Sequence, residues 1–184
     1  MADYFFNHSM GKLFYQVIFI EKMLWLRGVI FTLLIPGSVA GIIPWLLIRN
    51  RQPDLLLGKW HYAGLLVLAV GVFVYILTII SFLLRGKGTP AIWFTAAIGW
   101  LIGKEPVKMV SSGLYKYSRN PMYLGVMITV LGEAIFFRQS LLLLYVVVLF
   151  VIFHFIIVFI EEPHLEKKFG EEYKNFKKRT KRWL

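Results

Sequence analysis

The sequence predicts an all-α integral membrane protein of about four to five transmembrane helices, ending in a helical hairpin and an amphipathic cytoplasmic tail, with no Rossmann domain. Three observations predict it. Of the 184 residues 58% are hydrophobic, and mean hydropathy is +0.67, a composition of membrane proteins rather than soluble domains. Apolar runs of bilayer-spanning length recur along the chain. Lys and Arg cluster at the ends of those runs and in the tail, as the positive-inside rule requires. No glycine fingerprint of a dinucleotide-binding unit occurs.

Taken in order, Tyr4–Leu24 mixes aromatic and aliphatic residues with Lys12, Glu21 and Lys22 and reads as an interfacial helix. The first ten residues carry no Lys or Arg, and Leu13–Ile20 runs into Glu21-Lys22, so no signal peptide is expected. Trp25–Ile48 is the first spanning segment, kinked or broken by Pro36, Gly37, Gly41 and Pro44. Arg49–Trp60 is a polar loop. Tyr62–Leu84 holds no charge and is the cleanest span. Arg85-Gly86-Lys87-Gly88-Thr89-Pro90 lacks the spacing and the preceding strand of a phosphate loop. Ala91–Gly103 is apolar but too short to span, and fits an interfacial or re-entrant segment. Lys104–Ser118 is a basic connector.

The stretch Arg119–Glu162 organises the rest. Its apolar runs, Leu124–Phe137 and Leu141–Ile160, are separated only by Arg138-Gln139-Ser140, which imposes an antiparallel hairpin. At about 1.5 Å per residue the runs are long enough to cross or nearly cross a bilayer core. Arg119-Asn120-Pro121-Met122-Tyr123 therefore returns to the same membrane face as Glu161-Glu162. Asn120 and Pro121 have the pattern of a helix start. Adjacent carboxylates at the end of a helix oppose both the dipole and each other, so the pair needs a cationic partner. Either Arg119 is that partner, or a bound cationic ligand is.

The tail Pro163–Leu184 reads as one amphipathic helix, with Leu165, Phe169, Tyr173 and Phe176 on its apolar face and eight Lys or Arg around them. It suits a membrane-surface anchor or a lid over the mouth where Asn120 and Glu161 meet. The formal charge of +11 is explained by anionic lipid headgroups, not by nucleic acid. There is no cysteine, and the four histidines show no metal-ligand spacing. His154 lies seven residues before Glu161, on nearly the same helical face. It is a functional candidate by its depth, and a neutral histidine bonded to a neighbouring helix is the favoured reading. Glu133 is expected to pair with Arg138.

The blocks Ser112-Gly113-Leu114-Tyr115-Lys116-Tyr117-Ser118-Arg119-Asn120-Pro121-Met122-Tyr123-Leu124-Gly125, Glu161-Glu162-Pro163-His164-Leu165 and Phe169-Gly170-Glu171-Glu172-Tyr173 resemble the isoprenylcysteine carboxyl methyltransferases and their phospholipid methyltransferase relatives. The likeness covers roughly residues 85–184, and Gly86–Pro90 fits the bacterial members. It implies two parts, N-terminal membrane helices over 1–84 and a methyltransferase core over 85–184. It also implies S-adenosylmethionine as cofactor, S-adenosylhomocysteine as product, and a lipid or lipid-like acceptor reached from the bilayer. The cofactor contacts it implies are Val107, Lys108, Met109, Val110, Tyr115, Asn120, Pro121, Met122, Tyr123 and Glu161, on the cytoplasmic side. The backbone of Val107–Val110 would take the adenine edge and Glu161 the ammonium. Arg119, Glu162 and His154 are the candidates for a direct part in the chemistry.

The pattern also departs from the family. Asn120 stands where the best-studied members have His, and Ile157 where the prenylcysteine enzymes have a substrate-binding arginine. Ala91–Gly103 resembles an insertion, and Thr180-Lys181 replaces Val-Pro. Another class of function also fits the tail: a non-catalytic membrane protein that binds anionic lipid or a partner. A small transporter would show two broken helices in repeated halves, and no such repeat is visible.

Overall fold

The computed structural model describes residues 23–86, 88 and 105–184. The interfacial helix expected over 4–24 (apart from its last two residues) and the insertion at 91–103 lie outside them. The described residues are all helical or irregular, without a strand. Three helices are long and apolar enough to cross a membrane: α1, Met23–Ile48; α2, Gly58–Gly86; and α4, Ser140–Phe169. A shorter apolar helix, α3, Pro121–Phe136, lies between the last two. The amphipathic α5, Glu171–Arg179, follows α4.

The centre of the fold is the antiparallel crossing of α2 and α3, the most extensive helix contact among the described residues. Small residues bring the two backbones together, as expected where lipid offers no hydrophobic drive. A methyl group on Gly132 would lie 2.6 Å from Leu68 Cα, and one on Gly125 2.8 Å from the Tyr75 amide. The core then grows outward through Val130 and Ala134, both fully buried, to Leu149, Phe153 and Ile157 of α4 and Phe31 of α1. At about 24 Å, α3 is shorter than a hydrocarbon core of roughly 30 Å. It is wedged among longer helices.

Proline explains two of the three wide turns among the described residues. Ser38–Ile42 in α1 and Ile157–Glu161 in α4 are π-helical, and each ends two positions before a proline, Pro44 and Pro163; the π turn Phe82–Gly86 that ends α2 has no such proline. A proline inside a helix has no N–H to give and crowds the preceding turn. Widening that turn lets the helix continue. The expected kink of the first span is thus a π turn. At the second proline the structure corrects the sequence reading: α4 does not end at Glu162 but runs on to Phe169. The break comes at Gly170, whose φ of 54° only glycine adopts readily. The tail is therefore two helical pieces and an extended end.

On the far side the loop after α1 docks on the hairpin tip. The Asp54 and Leu55 amides donate to Arg138 O, and Asp54 accepts from the Ser140 amide at 2.8 Å, capping α4. Arg138 turns the chain at φ 56°. The Glu133–Arg138 pair expected from sequence does not form. Glu133 makes no ion pair among the described residues, and its buried Oε2 has no hydrogen-bond partner.

Candidate active site

The start of α3 is shaped by the end of the chain. Asn120 occupies the capping position, but its side chain makes no cap bond. Its amide Nδ2 instead donates to Arg182 O at 2.9 Å. Ser118 Oγ donates to the same carbonyl at 3.3 Å, and the Arg119 amide donates to Lys181 O at 2.9 Å. Residues 181–182 are thus strapped across residues 118–120. The capping role read for Asn120 gives way because these carbonyls meet the amide first.

The π turn before Pro163 sets the two carboxylates. It narrows the angle between successive side chains, so adjacent Glu161 and Glu162 both face inward, 5% and 6% exposed. Glu161 accepts a short hydrogen bond from the Tyr123 hydroxyl. Glu162 is gripped by cations: Arg119 at 3.1 Å, Arg182 Nε at 2.7 Å and Lys177 at 3.8 Å. The structural partner anticipated for the pair is therefore real, and it takes Glu162. Its geometry is incomplete. Arg119 is shared between Glu162 and the Tyr173 hydroxyl, to which it also hydrogen-bonds, and its buried Nε has no hydrogen-bond acceptor among the described residues.

An aromatic wall completes the site. Phe82, Val110, Tyr115, Tyr173 and Phe176 form a buried cluster, with Tyr115 edge-on to Phe82 at 5.6 Å. Burial and then the nearby Glu161 charge push the Tyr115 hydroxyl well above its ordinary pKa. Burial and the Glu162 charge push Tyr173 up to about 12. Both therefore stay neutral. The cleft between these groups, partly open to the surface, has a volume of only about 60 Å³.

Of the residues implied by resemblance, Met109, Val110, Tyr115, Asn120, Met122, Tyr123 and Glu161 line this cavity, with Arg119 and Glu162. Pro121, Val107 and Lys108 do not line it. Val107 is 73% exposed, and the Val107 and Lys108 amides already donate to Gly86 O. His154 is also elsewhere: its Nδ1 accepts from Trp183 Nε1 at 3.3 Å and its ring stacks on that indole. Of the two readings of His154, a functional candidate or a histidine bonded to a neighbouring helix, neither is met in full: it is bonded, but to Trp183 of the tail. Sequence reasoning missed Phe82, Pro106 and Arg182. Of the two readings of the tail, anchor or lid, the placement of Leu165, Phe169, Tyr173 and Phe176 along the cavity fits the lid.

Glu105 ties the connector to the tail, 2.6 Å from Lys168 and 3.0 Å from His164. Burial opposes its ionisation, but hydrogen bonds from Lys168 and His164 outweigh that and hold its pKa below the ordinary 4.5. A depressed folded-state pKa stabilises the fold fully above the unfolded value and ceases to do so as pH falls through the folded one. Thermal melts in detergent from about pH 6 to 3 should show a loss below about 4.5 that Glu105→Gln removes. An unchanged acid limb in the variant would rule out this tie.

An all-helical membrane protein in which a helical hairpin and its tail enclose paired carboxylates, a buried arginine and aromatic rings is the class defined by fold and site. The profile of the phospholipid methyltransferase family matches residues 60–172, and the chain belongs to that family. It is thus a membrane protein of a methyltransferase family. An uncharacterised protein of Haemophilus influenzae (strain ATCC 51907 / DSM 11121 / KW20 / Rd) is 33% identical over 63 residues, 34% of this chain and all of that protein. No solved structure matches. The family match takes in α2, the connector, α3, α4 and the first two residues of α5. It leaves out α1 and the strap at 181–183.

Proposed function

We propose that the protein transfers a methyl group from S-adenosylmethionine to a lipid or lipid-like acceptor at the cytoplasmic membrane face. The observation that carries this is the charge pattern of one cleft: Glu161 with the Tyr123 hydroxyl on one side, and the Arg119 guanidinium, paired with Glu162, on the other. An amino-acid moiety carries the complementary pair, an ammonium and a carboxylate. Glu161 suits the ammonium, and the Arg119 guanidinium suits the carboxylate. The Tyr115 and Tyr173 rings suit a sulfonium, since aromatic faces attract cations. The cofactor supplies an activated methyl group that an acceptor lone pair displaces. What the chain's residues contribute is alignment and exclusion of water.

Exposed Lys108, Lys116, Lys167, Lys174, Lys178, Arg179 and Lys181 lie on the site's side of the protein, which supports a cytoplasmic orientation by the positive-inside rule. Ile157, fully inside the core at 1% exposure, leaves no arginine at the position tied to prenylcysteine carboxylates. A phospholipid-like acceptor fits better.

A cavity of about 60 Å³ is far below the roughly 300 Å³ of small-molecule pockets. The tail must therefore lift to admit a cofactor and close again over it. Arg182 and Trp183 are the latch. Arg182→Ala removes a partly exposed ion pair worth about 1 kcal/mol, so cofactor dissociation should quicken about fivefold, read by stopped-flow fluorescence. An unaltered off-rate would show that the tail is not the gate.

The direct test is calorimetric titration of S-adenosylmethionine and S-adenosylhomocysteine into the purified protein, in detergent and in nanodiscs. Saturable binding of both is expected. A folded protein that binds neither in nanodiscs, but associates with anionic vesicles through its tail, would replace the enzyme reading with the lipid-binding one.

A further inference from the structure

Beside the candidate active site lies a second concavity. It is a groove of about 350 Å³ between α1, α3 and α4. Met122 and Tyr123 line both spaces, so the two meet at the residue whose hydroxyl holds Glu161 and whose ring packs on Phe153 at 4.6 Å. Away from that junction the walls are apolar, Phe31 and Ile35 from α1 facing Leu149 and Ile152 from α4. At its deep end the Tyr145 hydroxyl donates to Val39 O at 3.0 Å, a crossbar from α4 to α1.

The crossbar has a physical origin. In the π turn the Ile43 amide donates five residues back, to Ser38 O. The next donor in that register would be residue 44, a proline without an N–H. Val39 O is thereby orphaned at a depth where water is absent, and Tyr145 satisfies it. Tyr145 is held across the groove, with Ile43 leaning back along α1 beside it.

We infer that the groove takes a single hydrocarbon chain of the methyl acceptor, and that Tyr145, pinned by Val39, is the floor that sets its longest length. The inference rests on the proposed function for the acceptor's identity and on the groove for its length. The occupant follows from continuity. Among the described residues this groove shares Met122 and Tyr123 with the site, so a lipid head at the Tyr123–Glu161 junction has an apolar passage there for its tail, and α1 supplies the wall from outside the family-matched residues. Ile156 and Tyr145 are eleven residues apart along α4, roughly 16 Å. At about 1.2 Å per bond of extended chain, that length takes on the order of 13 carbons.

The test is retention of saturated lysophosphatidylethanolamines from an equimolar series of about 8 to 18 carbons, read by native mass spectrometry of the full chain in a fluorinated surfactant. Retention should peak near the predicted length. Tyr145→Ala should move the peak at least two carbons longer, and Ile35→Trp, halfway along the α1 wall, should move it shorter. Tyr145→Phe keeps the ring and loses only the hydrogen bond. It should lower thermal stability and leave the peak in place, which a purely structural Tyr145 would not separate from the Ala variant. A series without a peak, or a peak that neither Tyr145→Ala nor Ile35→Trp moves, would overturn the inference and leave the groove to bulk lipid. S-adenosylmethionine titration of the same samples separates the two readings. Cofactor binding without a movable peak refutes the groove alone. A movable peak without cofactor binding upholds the groove and refutes the methyltransferase reading.

Discussion

Glu161→Gln is expected to weaken S-adenosylmethionine binding at least tenfold, about 1.4 kcal/mol, with the fold intact. The substitution preserves shape and still offers an oxygen to the Tyr123 hydroxyl, so packing at the π turn is kept. What it removes is a negative charge that is 5% exposed, where the low dielectric makes a charge-assisted contact worth more than at the surface. Calorimetry on wild type and variant reads the effect. Glu162→Gln is the informative neighbour. It leaves Arg119, Arg182 and Lys177 without their shared anion. Its main consequences should be a lower melting temperature and a looser tail. If the two variants weaken binding equally and destabilise equally, Glu161 has no special tie to the ligand and the proposed pose fails.

Gly132→Leu should cost about 3 kcal/mol or more, the upper range for overpacking a core, and many preparations should fail to fold. The first added carbon would already lie 2.6 Å from Leu68 Cα, on backbone that cannot step aside. Gly71→Val should behave alike, since its first carbon would meet Thr129 Oγ1 at 2.6 Å. Gly41→Ala is the control. Nothing lies within 4 Å of the added carbon, so stability should hold or rise by a few tenths of a kcal/mol, as for glycine replaced in a helix. Melting curves followed by circular dichroism in detergent check all three. A Gly132→Leu protein as stable as wild type would mean that α2 and α3 are not in backbone contact.

The effect reaches function because α3 carries Asn120, Met122 and Tyr123 at its site end. A shift along the α2–α3 contact moves those residues relative to Glu161 on α4. Tyr123 would then be displaced from both the carboxylate and the groove behind it.

Some of this was open to reading from the chain alone. Spanning helices follow from run length, since backbone in lipid must satisfy itself. The return of Arg119–Tyr123 to Glu161–Glu162 follows from a three-residue break between two apolar runs, which leaves no room for any connection but a hairpin. The need of two adjacent carboxylates for a cation follows from Coulomb repulsion. These are local or one-dimensional constraints, and the order of residues determines them.

Other features depend on what folds against what. That Glu162 takes Arg119 while Glu161 takes Tyr123 was decided by the π turn before Pro163, and a helix pattern does not disclose in which register a proline will be absorbed. The Glu133–Arg138 pair failed because the hairpin tip is bound to the loop after α1, a contact across more than eighty residues. Asn120 exchanged its cap for the Arg182 carbonyl, and of the two faces open to the aromatic stripe of the tail, bilayer or cleft, the cleft took it. Both follow from the bend at Gly170, which sends α5 and the strap back over the site. Sequence determined which segments lie in the membrane and which two ends meet. Tertiary packing decided which side chains touch there, because partner choice among charges and rings within a few ångströms is set by helix register and close backbone contact, and neither leaves a periodic signal in the chain.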